Sequence, residues 1–260
     1  MSFKDLIVDR EDKILLVKIN RPDVLNALRR ETFLELEQTL TDFSSIDEMR
    51  VMIITGEGER AFSAGGDVRA LLGMNSNDAA SFASMTHRIL DKMERMPKPV
   101  IAAVNGLALG AGCDLAIACD IVLASEKALF GEPPTGLGIT TPFGGTQRLP
   151  RIVGPKRAKQ LFFTGESIDA EMALKFGLVN KVVKHEELIS EARKFAGKIL
   201  ERAPLAVGYC KRLVNFSSYG SLEEGDKLEA ELYARCFDTE DKTEGMRAFL
   251  EKRKPTFKGK

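Results

Sequence analysis

Residues 98–124 read KPVIAAVNGLALGAGCDLAIACDIVLA, and the fold class is read from this stretch. After Pro97 and Pro99 comes an apolar run, Val100 to Val104, whose composition predicts a short buried strand. Small residues from Gly110 to Cys119 then predict a helix, and Ile121 to Ala124 predicts a second strand. Strand, glycine-rich turn, helix and strand in this order argue for an α/β core. The turn opens a helix, so its first N–H groups lack intrahelical partners and carry the positive end of the helix dipole. Such a turn stabilises negative charge.

The same alternation extends upstream. Ile14 to Asn20 (ILLVKIN) reads as a strand closed by Arg21-Pro22-Asp23, where proline removes a ladder donor. Phe33, Leu36, Leu40 and Phe43 recur at helical spacing, Val51 to Thr55 (VMIIT) reads as a buried strand, and Ala80 to Met96 as a helix. Downstream of about Gly144 one short strand is expected, at Asn180 to Val183. Helices dominate there, through Leu188, Ala192, Phe195 and Ile199 and then a segment opened by the capping box Ser221-Leu222-Glu223-Glu224. The Pro/Gly-rich segment from Gly131 to Gly145 is too long for a simple turn and is expected to shape a site.

Composition narrows the function classes. A chain of 260 residues, 44% hydrophobic, can bury a sizeable core. Its 38 basic residues balance 38 acidic ones, so no summed field draws in nucleic acid or an anionic membrane, and neither is expected as a partner. The segment MSFKDLIVDREDK carries acids throughout, and no later run reaches the ~20 apolar residues that span a bilayer. Cys113, Cys119, Cys210 and Cys236 lack CxxC spacing and suit reduced thiols, so a cytoplasmic location is expected.

Two loops place small residues where a backbone must approach something closely: Ala61-Phe-Ser-Ala-Gly-Gly-Asp67 and Asn105-Gly-Leu-Ala-Leu-Gly-Ala-Gly-Cys-Asp114. Gly106, Gly110 and Gly112 follow the order GxxxGxG rather than GxGxxG, and no GxxxxGK occurs, which argues against a nucleotide cofactor. A tight turn and an oxyanion site both remain open on spacing alone. The only histidines are His87 and His185. Ser63 has no matching triad motif, so a serine hydrolase is a poor fit, and ligand clusters for a metal are absent.

Together with Asn20-Arg-Pro-Asp-Val-Leu-Asn-Ala-Leu28, Lys98 to Gly106, Gly110 to Ile121, Gly144-Gly-Thr-Gln-Arg-Leu149 and Glu251-Lys-Arg-Lys254, these loops resemble successive motifs of the crotonase (enoyl-CoA hydratase/isomerase) superfamily. The resemblance covers nearly the whole chain. It implies an α/β fold of crotonase (Clp-protease-like) type, a spiral of β-β-α units over residues 1–200 that holds the CoA and acyl pocket. Residues 201–260 would form a C-terminal helical trimerisation region, giving a homotrimer or a hexamer built as a dimer of trimers. The implied substrate is an acyl-CoA thioester, with no cofactor beyond its CoA moiety. By position, the backbone N–H groups of Gly66 and Ala111 would hold the thioester oxygen. Asp23, Val24, Ala64, Gly66, Asp67 and Val68 would line the CoA, and Tyr233 and Lys252 would reach the CoA of a neighbouring subunit. Without the resemblance, Lys252 reads as part of a solvated basic tail.

The resemblance also breaks. Hydratases of this superfamily present two glutamates above the oxyanion hole, because water must be activated at the β-carbon and a proton delivered to the α-carbon. Here the first position is Asp114 and the second is Pro134, which exchanges no proton. Asp114 is expected to be the acid/base; its bland alternative is a helix-start aspartate binding free N–H groups. Glu132, two residues before the vacant position, either takes over as second carboxylate or lies on the surface. Thr135, Thr140 and Thr141 either position water or a polar acyl group or satisfy loop backbone, the commoner role of threonines in such a loop. The reading that follows is an enoyl-CoA hydratase-type lyase using Gly66, Ala111, Asp114 and Glu132. Its alternatives are a crotonase-fold isomerase, decarboxylase or hydrolase on a functionalised acyl-CoA, or a silent acyl-CoA-binding subunit.

Overall fold

The computed structural model describes residues 3–260, so Met1 and Ser2 lie outside the described residues. The chain runs through β1 (Leu6–Glu11), β2 (Ile14–Ile19), α1 (Arg30–Ser45), β3 (Val51–Gly56), β4 (Ala61–Ser63), α2 (Val68–Leu72), α3 (Ser76–Arg95), β5 (Val100–Val104), β6 (Leu107–Leu109), α4 (Ala111–Ile117), β7 (Ile121–Ser125) and β8 (Leu129–Gly131). It continues with α5 (Gly145–Val153), α6 (Pro155–Thr164), β9 (Ser167–Asp169), α7 (Ala170–Lys175), β10 (Lys181–Val183), α8 (Leu188–Leu200), α9 (Pro204–Phe216), α10 (Leu222–Cys236) and α11 (Glu240–Leu250).

Two sheets form. The larger has strand order β1-β2-β3-β5-β7-β10, and the smaller β4-β6-β8-β9. Among the described residues only the β1–β2 and β8–β9 pairs are antiparallel. Chain order shows how the sheets arise: β3, β5 and β7 each enter the large sheet, and the strand that follows each, β4, β6 and β8, enters the small one. Each strand pair is followed by helical structure before the next, which is the β-β-α spiral implied by the motifs.

Burial on both faces explains the uninterrupted apolar strands. Along β3, Met52 and Ile54 pack into one core with Val17, Val100, Ala102 and Phe62. Val51 and Ile53 point the other way, into a second core with Ile101, Ala103, Leu123 and the α8 residues Leu188, Ala192 and Ala196. The period of two thus divides one strand between two cores. The helix α3 buries Phe82, Met85, Ile89, Leu90 and Met93 at helical spacing. It begins before Ala80 because Asn75 and Asp78 form a reciprocal capping box.

Several elements differ from expectation. The edge strand β1, with Asp9, Arg10 and Glu11 in its sequence, has little apolar pattern to read. The small sheet is built from three-residue strands, too short to show a period. One of these, β9, lies beyond Gly144 and pairs antiparallel with β8, so β10 is not the only strand of the last third. Near the C-terminus, α9 is bonded to the rest of the chain: Lys211 Nζ donates to Asp120 at 2.7 Å and to the Met93 carbonyl at 3.0 Å, and Asn215 donates to the Glu94 carbonyl. Among the described residues no helix is long and apolar enough to cross a membrane.

Candidate active site

The two glycine-containing loops meet where the small sheet ends against α4. Parallel pairing of β4 with β6 brings Ser63 opposite Ala108. The helix start is then pressed so closely onto β4 that a methyl on Gly112 would stand 2.2 Å from the Ser63 carbonyl oxygen. Only glycine fits there. Gly110 has φ +48°, which turns the chain out of β6 and into α4. Among the described residues, the N–H groups of Gly66 and Ala111 donate to no protein acceptor. These two donors are therefore free at the junction of the loops.

The loop before α1 is bonded along the same edge. Ala64 N–H donates to the Leu25 carbonyl, Leu28 N–H to Gly65 and Asp67 N–H to Leu28, all within 2.9 Å. Arg21 locks the arrangement, since Nη2 meets Asp67 Oδ2 at 2.9 Å and Nη1 donates to the Ala27 carbonyl. Burial pulls against ionisation of Asp67, yet Arg21 and the Ala70 and Arg69 N–H groups hold its carboxyl below the usual range. Asp67 also caps α2. Asp23 and Val24 sit on an exposed 3-10 turn, Pro22–Val24, while Ala64 is half-buried and Val68 exposed. Sequence thus brings Asp23, Val24, Ala64, Gly66, Asp67 and Val68 onto two loops bonded side by side. Tyr233 and Lys252 are not part of this cluster. Tyr233 is exposed on α10 with its ring edge-on to Phe237, and Lys252 follows α11 in a left-handed conformation.

Behind the free N–H groups lie two carboxyls. Asp114, in the first turn of α4, and Glu132, just after β8, are both fully buried. Glu132 is not a surface residue. A residue preceding proline is driven from helical geometry, and Glu132 has φ −126°, ψ 70°, ahead of the 3-10 turn Pro133–Leu137. Pro134 itself stands beside the oxyanion turn: its Cγ is 3.6 Å from where a methyl on Gly110 would be.

Asp114 does not cap its helix. Its Oδ2 accepts a hydrogen bond from Thr141 Oγ1, and its Oδ1 has no donor among the described residues; neither oxygen of Glu132 has one. The two carboxyls are close enough to perturb each other's ionisation, so a proton held by the pair relieves part of this. Burial pushes the Asp114 carboxyl up, opposed by the Thr141 hydroxyl, by Glu132 and by the charge of Arg148. Glu132 is pushed well above the carboxylate range, first by burial and then by the Asp114 charge. The two carboxyls therefore titrate as a pair, and burial with their mutual repulsion keeps a proton on that pair above the ordinary carboxylate range. Cys113, beside them, is pushed up by burial and by both carboxyls, which keeps it a neutral thiol.

Sequence reasoning missed three contributors. Thr135 satisfies backbone by donating to the Phe162 carbonyl at 2.7 Å, whereas Thr141 donates to the Asp114 carboxylate, a partner its place in the loop does not indicate. Gly145 and Arg148 belong to the quoted string Gly144 to Leu149, but nothing in that string points to α4 or α3. A methyl on Gly145 would collide with Asp114. Arg148 spans Glu94 at 2.7 Å, Asp91 at 2.9 Å and the Phe143 carbonyl at 3.2 Å. Ser63 accepts from the Gly65 N–H and is buried, so it is no nucleophile; His185 bonds Ser125, and His87 is exposed on α3.

Comparison with known proteins identifies the family and the fold. The family model described as enoyl-CoA hydratase/isomerase matches residues 9–260. The chain is 44% identical over 257 residues to a crotonyl-CoA hydratase of Syntrophomonas wolfei, covering 99% of both chains. It is also 44% identical to a short-chain-enoyl-CoA hydratase of Clostridium acetobutylicum, over 98% of this chain and 97% of that one. The crystal structure of an enoyl-CoA hydratase from Bacillus anthracis superposes with a TM-score of 0.95 at 38% identity, covering 99% of this chain and all of that one. The chain belongs to the enoyl-CoA hydratase/isomerase family and is an enzyme of hydratase type.

Proposed function

We propose that the enzyme reversibly hydrates a short-chain enoyl-CoA, with Asp114 and Glu132 as a proton-sharing pair behind an oxyanion hole made by Gly66 and Ala111. The observation that carries this reading is the coincidence of two free backbone donors with two buried, under-satisfied carboxyls around α4. The names of the Syntrophomonas and Clostridium relatives favour a short acyl chain.

In this reading the thioester oxygen accepts from the Gly66 and Ala111 N–H groups, which aim positive charge where the enolate develops. Ionised Asp114 takes a proton from water as the hydroxyl adds to the β-carbon. The electron pair of the double bond passes to the thioester oxygen as an enolate. The α-carbon then recovers a proton from the pair, which restores one carboxylate and one carboxylic acid and adds one water in total. Asp23, Val24, Ala64, Asp67 and Val68 line the CoA. No cofactor beyond the CoA moiety is required.

Assembly belongs to the same proposal. Leu222, Tyr233, Phe249 and Leu250 are each more than three-fifths exposed on α10 and α11. Apolar exposure of this kind favours subunit contact, in a homotrimer or a dimer of trimers, where Tyr233 and Lys252 reach a neighbour's CoA. Sedimentation tests this part, and a monomer at working concentration would refute it.

The function is tested by following the conjugated enoyl-thioester absorbance of crotonyl-CoA with the wild-type enzyme and with Asp114→Asn. Turnover that falls by about 10²- to 10⁴-fold in the variant is expected, the range for loss of a positioned acid or base. Folded wild-type protein that binds the thioester without hydrating it would refute the proposal.

A further inference from the structure

We infer that Thr141 is a positioning residue for Asp114, whose hydroxyl occupies Oδ2 and leaves Oδ1 as the oxygen that moves the proton. This rests on the reading of Asp114 as the acid/base.

The geometry gives the hydroxyl a direction. Thr141 is almost fully buried, and its oxygen accepts a hydrogen bond from the Phe143 N–H at 3.4 Å while its single proton goes to Asp114 Oδ2. A hydroxyl so placed stabilises the carboxylate more than the acid, because an ionised acceptor forms the stronger bond. The opposite oxygen, Oδ1, faces the place a Gly145 side chain would fill and has no donor among the described residues. Proton transfer at Asp114 is thereby confined to one oxygen.

The loop that carries Thr141 is held from other elements. Thr86 on α3 donates to the Pro142 carbonyl at 2.9 Å, and Arg148 on α5 donates to the Phe143 carbonyl. The Phe143 ring stacks on Phe33 at 5.1 Å and meets Phe82 edge-on at 5.7 Å. Three anchors fix the two residues after Thr141, so its hydroxyl position is set by the scaffold. The groups that face Asp114 are Cys113 on its own helix, Glu132 after β8, Thr141, and the Arg148 charge from α5. Thr141 is the one neutral hydroxyl among them, so it can be altered without changing the charge of the site.

The test compares wild type, Thr141→Val, Thr141→Ser and Asp114→Asn by the pH dependence of kcat for crotonyl-CoA hydration. Valine keeps the shape and removes the donor; serine keeps the donor. Thr141→Val is expected to move the acidic limb of the profile upward by about one pH unit, the size of one hydrogen bond to a charged group. KM should stay within about twofold, and Thr141→Ser should return the limb to its wild-type position. An unmoved limb in Thr141→Val overturns the inference, as does a limb equally displaced in Thr141→Ser. If Asp114→Asn is inactive while Thr141→Val keeps the wild-type profile, only the positioning role is lost. Undiminished turnover by Asp114→Asn removes the acid/base reading and the inference with it.

Discussion

Asp114 and Gly145 are in contact between α4 and α5, so close that a methyl on Gly145 would stand 1.6 Å from Asp114 Oδ1. The carboxylate occupies the space of the missing side chain. Because Thr141 restrains the other oxygen, Asp114 cannot swing away freely. Gly145→Ala is therefore expected to lower kcat for enoyl-CoA hydration by about 10²-fold, the cost of a misplacement near 1 Å. Steady-state kinetics beside a denaturant titration checks this; wild-type kcat in the folded variant would contradict it.

Ala111 is the first residue of α4, where proline is tolerated because the N–H has no intrahelical partner. Ala111→Pro removes one proposed oxyanion donor at a position that favours proline. A loss of about 10²- to 10³-fold in kcat is expected, with circular dichroism unchanged. A folded variant with wild-type turnover would exclude the Ala111 N–H from the oxyanion hole.

The buried pair also makes stability depend on pH. Glu132 and Asp114 have folded-state pKa values raised above their unfolded ones by burial, so between these values the native state binds more protons than the unfolded state. Stability then falls as pH rises, from the ordinary carboxylate range through about 7, where Asp114 ionises. Each group contributes a slope of up to about 1.4 kcal/mol per pH unit. Glu132→Gln removes one of the two, so its denaturant midpoint should drop less than that of wild type between pH 5 and pH 8. Equal drops would show that Glu132 does not carry the extra proton.

Lys211 on α9 is 7% exposed at its side chain and its amine is shared between Asp120 and the carbonyls of Met93 and Lys98. Asp120 also accepts the Val100 N–H at the start of β5. Lys211→Met leaves that half-buried carboxylate without its cation and the two carbonyls without their donor, a change that costs about 1–3 kcal/mol. Thermal and denaturant unfolding should show this loss, and a variant as stable as wild type would mean that α9 adds nothing through this pair.

What the sequence revealed was set by element length. Val51 to Ile54 and Val100 to Val104 are apolar throughout because both faces of the large sheet are covered, and such runs are readable. The small sheet is invisible to periodicity, since Ala61–Ser63, Leu107–Leu109 and Leu129–Gly131 offer three residues each. Its position nonetheless follows from the glycines, because Gly110 and Gly112 mark where strand, turn and helix crowd together.

The site divides in the same way. Gly66, Ala111 and Asp114 lie in strings that resemble a known family, and the burial of Glu132 accords with the proline that follows it. The contact of Thr141 with Asp114 was not legible. Its partner is 27 residues away along the chain, and the loop between them closes only through anchors at Thr86, Arg148 and the Phe33–Phe143 stack. A tertiary contact of this kind has no local sequence signature.

The pairing of Asp114 with Glu132 is the centre of the account, and turnover of crotonyl-CoA by Glu132→Gln tests it most directly. Glutamine keeps the size and a hydrogen-bond donor toward Asp114 but can neither give nor take the shared proton. The account predicts a drop in kcat of at least about 10²-fold with KM little changed. Wild-type kcat in folded Glu132→Gln would contradict it and leave Asp114 as the only acid/base.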